Sequence, residues 1–463
     1  MLFSSPVFLV FFLADYLAHL SVPARYRTYL VICASTIFYA WWKLEYAWVP
    51  FLLMAIAYWG VRWMEDAATP RLRKAWATAT IVALFVPLVV FKYTDFLYRD
   101  VLGPILGLQG TLLGVPLPLG ISFITFTLTA YVVDIYRRRF PGRQSASTVL
   151  AYVLFFPHLI AGPILRPHEL IPQLESMRRA FPRRVALPVA IFTLGLVKKL
   201  VFADQIGGMV DAAYAGAADN AALALAAIYG FAVQIYCDFS GYTDMAIGVA
   251  LMLGVRLPNN FLRPYAAGSL VDFWRRWHVT LSLWLRDYLY IPLGGNRHGR
   301  LKGARNVLIT MALGGLWHGA NWTFVIWGLL HGVAIALVQG ARSLSPGLVR
   351  RMPRWLGLAL TFHFVTAAWV LFRAPDLAAA GRMLAAPLRG SWENLGAFVP
   401  AHAFTILLIV VFFALHRFDD HRRVKALVRY VRAEILWPVI LLAWVLAIAV
   451  SQGSSAKFIY FDF

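Results

Sequence analysis

The sequence predicts an all-α, polytopic membrane protein with about twelve transmembrane helices and, among them, re-entrant or in-plane helices. Three observations carry this. Of 463 residues, 60% are hydrophobic and only 14% charged, whereas a soluble domain carries about 25% charged residues. The mean hydropathy is +0.67. The apolar residues also fall in runs that approach the ~20 residues needed to cross ~30 Å of hydrocarbon. A water-soluble enzyme is excluded. The 33 Gly and 24 Pro follow no period and apolar residues dominate, so disordered and collagen-like chains are excluded too.

In chain order the runs lie near 5–20, 28–42, 46–63, 75–91, 117–136, 185–203, 220–254, 303–320, 324–341, 355–373, 402–416 and 435–452. The first has no basic flank and no small-residue cleavage site, so it reads as a retained span. The run 220–254 is too long for one simple crossing, and its path stays open. Residues 149–164 are apolar, yet basic clusters flank both sides: Arg137 to Arg143 before, Arg166 and Arg178 to Arg184 after. A re-entrant or in-plane element keeps both flanks on one side. Pro157, Gly162 and Pro163 predict a broken helix there, and irregular backbone at membrane depth must be buried in protein or line a wet cavity. No internal repeat is evident. No polar segment has room for a soluble domain, so residues 1–463 form a single membrane domain and any chemistry occurs within or at the edge of the bilayer.

Forty-three Lys and Arg against 22 Asp and Glu leave a charge of +21. The basic residues sit in short loops between apolar runs, as at Arg71/Arg73/Lys74, Arg297/Arg300/Lys302/Arg305, Arg350/Arg351/Arg354 and from Arg417 to Arg432. That pattern expresses the positive-inside rule and contact with anionic headgroups rather than nucleic-acid binding. It places the N-terminus, the loops 92–116 and 374–401, and the C-terminal tail outside. Cys33 and Cys237 lie far apart in apolar stretches, so neither a disulfide framework nor a metal site is expected.

Ionisable residues in spans are costly and are the first candidates for function. They occur in Phe156–Pro163, Cys237–Asp244, Pro258–Phe261, Asp272–His278 with its continuation to Tyr288, and Gly314–Trp322. His318 has the strongest case. From Gly303 at the inner edge it lies about 22 Å along a helix, and the neighbouring glycines suggest room for another molecule. A neutral imidazole there suits a general base toward a hydroxyl; a core histidine bonded to a backbone carbonyl is the alternative. His278 follows Trp274-Arg275-Arg276-Trp277, which alone reads as an interfacial amphipathic helix. His158 and His331 read as structural. Asp238 and Asp244, six apart, make a poor carboxylate pair on a helix and are better explained by a solvated turn or by ion pairs with Arg275, Arg276 or Arg286. No Walker loop, Cys-x-x-Cys, His-Glu-x-x-His or Gly-x-Ser-x-Gly is present.

At Pro118–Phe123, Phe156–Ile164, Asp238–Gly248, Asn259–Tyr265, Asp272–Asn296, Gly314–Gly332 and the tail Lys457–Phe463, the sequence resembles the membrane-bound O-acyltransferase family, in particular its bacterial alginate O-acetyltransferase branch. The Trp-Arg-Arg-Trp-His and Trp-His-Gly segments are the most specific. The resemblance implies an acyltransferase whose essential embedded histidine maps onto His318 and whose second histidine maps onto His278. Asp238, Asn260, Arg276, Trp317 and Asn321, within the matching stretches, are the expected substrate-binding residues; no metal and no bound cofactor are expected. Thr127 and Asp462 depart from the branch, where glutamine is expected at both.

The resulting expectation is an inner-membrane enzyme that takes an acyl group, acetyl from acetyl-CoA, from the cytoplasm through a central polar tunnel toward an exopolysaccharide such as alginate. An extracytoplasmic acyltransferase partner is expected, because the outer loops are too short to fold into a polymer-binding domain. D-alanyl transfer to teichoic acid is the rival within the family. A transporter of a small anion or lipid-linked sugar is the rival outside it, disfavoured by the missing repeat symmetry.

Overall fold

The computed structural model describes residues 1–177, 185–216, 220–345, 347, 351–392, 395–452 and 456–459. The basic cluster Arg178 to Arg184, Arg350 and the tail from Tyr460 to Phe463 lie outside the described residues. Among the described residues the secondary structure is helical, with a single isolated bridge between Asn220 and Ser391.

Each of the twelve apolar runs lies on a helix. Seven are long and apolar enough to cross a membrane: Leu44–Glu65, Pro70–Leu106, Ala186–Tyr214, Ala221–Met252, Trp322–Leu344, Arg354–Arg373 and Ala433–Val450. An eighth is added if Leu395–Ala401 and Ala403–Phe418, bent by 72°, form one span. The other helices of the expected twelve fall short of that test for reasons of length and charge. Pro6–Ser21 and Ile121–Tyr136 have 16 residues each and Arg27–Ala40 has 14; sixteen residues rise only about 24 Å. Arg300–His318 opens with Arg300, Lys302 and Arg305 in its first two turns.

Three expectations about paths are revised. The run 220–254 is one continuous 32-residue helix, Ala221–Met252. The expected outer loop 92–116 is helical as far as Leu106, because the fourth helix continues through two π-helical stretches. The segment 374–401 contains the helices Leu377–Arg389 and Leu395–Ala401.

The chain packs as two compact units, Met1–Phe192 with Ala246–Pro258, and Thr193–Met245 with Asn259–Phe463. In the first, the rings of Phe3, Phe8, Phe12, Phe38 and Phe156 make a continuous aromatic core. The apolar stretch 149–164 begins on the helix Ala146–Leu154, which Ser145 caps by accepting the Thr148 N–H at 3.1 Å. The helix breaks at Phe155 (ψ 96°), and Pro157 sits in the first turn of the short helix Phe156–Leu159 that follows. The proline thus starts a helix rather than kinking one, as its missing N–H allows. His158 bonds the Tyr152 carbonyl through Nε2 at 2.9 Å, the structural role expected of it.

In the second unit glycines set the helix crossings. A Cβ on Gly195 would lie 2.4 Å from the Gly241 carbonyl oxygen, and one on Gly241 would lie 2.7 Å from that of Gly195. The helices Ala186–Tyr214 and Ala221–Met252 therefore touch backbone to backbone at this point, as small residues permit in membrane helices. Gly315 and Gly328 do the same for Arg300–His318 and Trp322–Leu344: their added Cβ atoms would lie 2.1 Å from the Phe324 oxygen and 2.2 Å from the Met311 oxygen.

Candidate active site

The site lies within the second unit. His318 is the last residue of Arg300–His318; Gly319, fully extended at φ −156°, ψ 147°, ends the helix. Two residues later Asn321 caps Trp322–Leu344 by accepting the Thr323 N–H at 3.0 Å, and its amide donates to the Pro375 carbonyl at 2.8 Å. His318 is therefore held at a tight, braced hairpin tip. It is buried, at 3% exposure, and enclosed edge-to-face by Trp317, Trp327 and Phe372 at 4.9, 5.2 and 5.2 Å between centroids. The glycines around it do not leave the expected space. Gly315 is filled by the next helix, and a Cβ on Gly319 would lie 2.1 Å from the Phe324 ring. They allow close helix packing instead.

His278 is fully buried rather than interfacial. It precedes the short helix Val279–Leu285 with φ 41°, a left-handed conformation that is uncommon outside glycine. Asn260 holds that turn. Its carbonyl accepts the Val279 N–H at 3.0 Å, and its side-chain oxygen accepts the Thr280 N–H at 3.2 Å and hydroxyl at 2.9 Å. The His278 ring meets Phe239 at 4.8 Å and Trp317 at 6.0 Å. The indole of Trp317 thus lies against both His278 and His318. His331 is fully buried, and its Nδ1 accepts from the Trp274 indole at 3.3 Å.

Asp238 and Asp244 have partners that the sequence reading did not name. Asp238 pairs with Lys199 at 2.8 Å, and Lys199 also pairs with Asp204 at 2.8 Å. Asp244 pairs with Lys198 at 2.8 Å and with His421 at 2.8 Å; Lys198 also meets Asp419 at 2.7 Å, and Asp419 accepts from the Tyr236 hydroxyl at 2.5 Å. The expected arginines are engaged elsewhere: Arg276 with Asp272 at 2.9 Å and Arg286 with Asp287 at 2.7 Å. The Gly195–Gly241 contact explains the difference, because it brings consecutive lysines onto the aspartate-bearing helix. The signal was available as a Lys-Lys pair inside an apolar run. The same charges hold the tail: Asp238 accepts the Ile459 N–H at 2.7 Å, Asp204 accepts the Ala456 N–H at 3.2 Å, and the buried Phe458 ring stacks on Tyr242 at 4.7 Å. Among the described residues no three His, Cys, Asp or Glu side chains gather as a metal site, and both cysteines are free.

The sequence profile of the membrane-bound O-acyltransferase family matches residues 136–374, about half the chain and all of the histidine site. The chain is also 39% identical to the probable alginate O-acetylase of Azotobacter vinelandii, covering 90% of this chain and 85% of that one. It belongs to the membrane-bound O-acyltransferase family. The acyltransferase is similar as well to the peptidoglycan O-acetyltransferase of Helicobacter pylori, at 36% identity over 83% of this chain and 79% of that one. The teichoic acid D-alanyltransferase of Bacillus subtilis matches at 26% identity over 55% of this chain and 68% of its own. The chain is thus a multi-pass membrane enzyme, an O-acyltransferase.

Proposed function

We propose that this acyltransferase moves an acetyl group from acetyl-CoA at the cytoplasmic face of the inner membrane toward the hydroxyl of an exported polysaccharide, alginate or a related polymer, with His318 as general base. The observation that carries the proposal is His318 itself: an imidazole at a braced hairpin tip, buried among aromatic rings beside the second histidine, in a chain similar to O-acetyltransferases of polysaccharides along most of its length. His318 takes the proton of the attacking hydroxyl. The oxygen attacks the thioester carbonyl, the new C–O bond forms, the C–S bond breaks, and the leaving thiolate receives the proton. A positioned base of this kind contributes about 10²–10⁴-fold in rate.

His278, buried and with its turn anchored by Asn260, serves in this reading to position rather than to accept the proton. Of the remaining expected substrate contacts, Arg276 and Asn321 are partly exposed and Trp317 packs on both histidines. Asp238 and Asn260 are buried and bonded within the protein; they act here through the backbone they hold. In this proposal residues 1–463 work as one functional domain, with about twelve crossings around a central polar tunnel that lets donor and acceptor meet from opposite faces. An extracytoplasmic partner holds the polymer.

Reconstitution tests this. Purified protein in liposomes, supplied with labelled acetyl-CoA, should release acetyl in a His318-dependent manner and should acylate polymer efficiently only when the outer partner is added. Absence of acetyl release together with transport of a small anion or lipid-linked sugar would overturn the enzymatic reading. Activity only with a D-alanyl carrier would replace the donor. Efficient polymer acylation without a second protein would remove the partner.

A further inference from the structure

A second feature lies in the first unit, in a cleft unrelated to the histidines. It has a volume of about 530 Å³ and opens where the helices Val49–Glu65 and Ile121–Tyr136 end and Pro70–Leu88 begins, lined among others by Glu65, Arg73, Ile135, Arg138, Arg139 and Gly142. That volume falls within the roughly 300–1,000 Å³ of small-molecule sites. We propose that the cleft binds the headgroup of an anionic phospholipid carrying two phosphates.

The charges decide the sign of the ligand. Arg73 is neutralised by Glu65 at 3.1 Å and also donates to the Ile135 carbonyl at 3.2 Å. Arg143 pairs with Asp66. Arg138 and Arg139 are exposed and have no ion-pair partner among the described residues. The cleft therefore presents two uncompensated guanidinium groups, a fork suited to phosphate oxygens.

The backbone points the same way. Arg138 has φ 57°, left-handed, at the end of Ile121–Tyr136. Glycine is the residue that ends helices in this conformation without penalty. The turn is fixed by the Arg138 N–H to the Ile135 oxygen at 2.9 Å and the Arg139 N–H to the Asp134 oxygen at 2.8 Å. A strained arginine at such a point is accounted for by its side chain, which a glycine would lack.

Position decides between a lipid and a soluble anion. Glu65 ends the span Leu44–Glu65, and Trp59 and Trp63, on the last two turns before it, are half exposed; Trp63 meets Trp76 of the next helix at 5.0 Å. Tryptophans at the end of a span mark the headgroup level, so the cleft opens at the depth where lipid phosphates lie. Basic pockets between spans are suited to doubly charged headgroups.

Native mass spectrometry of the full-length protein in detergent tests this with cardiolipin, phosphatidylglycerol and phosphatidylethanolamine as probes. Cardiolipin should be retained most strongly. The double variant Arg138→Gln/Arg139→Gln should lose about thirtyfold in cardiolipin affinity, about fivefold for each charge at the surface. Arg138→Lys/Arg139→Lys should stay close to the parent, which separates loss of charge from loss of fold. Arg422→Gln/Arg423→Gln, on the basic helix His421–Tyr430, should leave the tight site intact. Equal retention of phosphatidylethanolamine, or an unchanged affinity in the glutamine variant, would overturn the proposal. Displacement of the lipid by millimolar CoA or inorganic phosphate would also overturn it and assign the cleft to a soluble phosphate ligand.

Discussion

The imidazole of His278 stands edge-on to the indole of Trp317, with centroids 6.0 Å apart and planes at 69°. Trp317 packs in turn on His318 at 4.9 Å, so one side chain fixes the distance between the two histidines. Replacing His318 by Ala should lower polymer O-acylation by at least about 10²-fold, with normal protein level and membrane insertion. His278→Ala should cost less than His318→Ala. Trp317→Ala combined with His278→Ala should cost less than the sum of the single changes, because residues in contact are coupled. Acetyl incorporation into polymer, normalised to protein in the membrane fraction, checks all three. Wild-type acylation by His318→Ala would end the catalytic assignment.

Lys198 bridges Asp244 and Asp419 in a buried setting. Lys198→Met should destabilise the protein by about 3–5 kcal/mol, since it leaves two buried carboxylates without their shared cation. The triple variant Lys198→Met/Asp244→Asn/Asp419→Asn should recover part of that loss. Thermal unfolding in detergent measures both; equal melting temperatures for Lys198→Met and the parent would show that the network contributes no stability.

His421 donates from one ring nitrogen to Asp244 at 2.8 Å and from the other to Asn259 at 2.9 Å. Burial opposes its charged form, but the Asp244 carboxylate outweighs burial and the pKa is raised. Its unfolded value is about 6.5. The stabilisation is therefore complete below about pH 6.5 and fades as pH rises through the higher folded value. Melting temperatures of the parent and of His421→Gln should differ most near pH 6 and converge in alkaline buffer. A difference that grows with pH would contradict the charged pairing.

The segment 149–164 should not cross the bilayer. Its first helix has nine residues, Ala146–Leu154, about 14 Å of rise. Single cysteines at Gln144 and Ser176, in a chain lacking Cys33 and Cys237, should both be shielded from a membrane-impermeant thiol reagent added outside. Labelling of one and not the other would show a true crossing.

Helix content was legible because apolar runs are local signals, and His278 and His318 stood out as candidates because imidazoles in such runs are rare. What the sequence hid was set by helix crossings. Gly315 and Gly319 looked like empty space beside His318, yet the Phe324 carbonyl and ring occupy it. Asp238 and Asp244 looked assigned to arginines 30 to 50 residues away, but the Gly195–Gly241 contact gives them lysines from another helix. Span number is less legible, because an apolar run does not state its helical length: Arg27–Ala40 stops after 14 residues. Asn260 illustrates the same limit at the site. The resemblance places it among the substrate-binding residues, and nothing local in the sequence shows that its side-chain oxygen is bonded to Thr280.

The π-helical stretch Lys198–Ala203 in the middle of Ala186–Tyr214 carries one more consequence. Everything beyond it, including Asp204, is rotated relative to what a regular α-helix would present, and one residue corresponds to about 100° of turn. The wide turn takes up one extra residue and so keeps Asp204 on the face where it meets Lys199 and accepts the Ala456 N–H; a regular α-helix through the same residues would turn it away. The irregularity therefore acts as a reading-frame constraint in three dimensions: a residue added without a second wide turn would carry the rest of the span, Asp204 included, out of register with its partners.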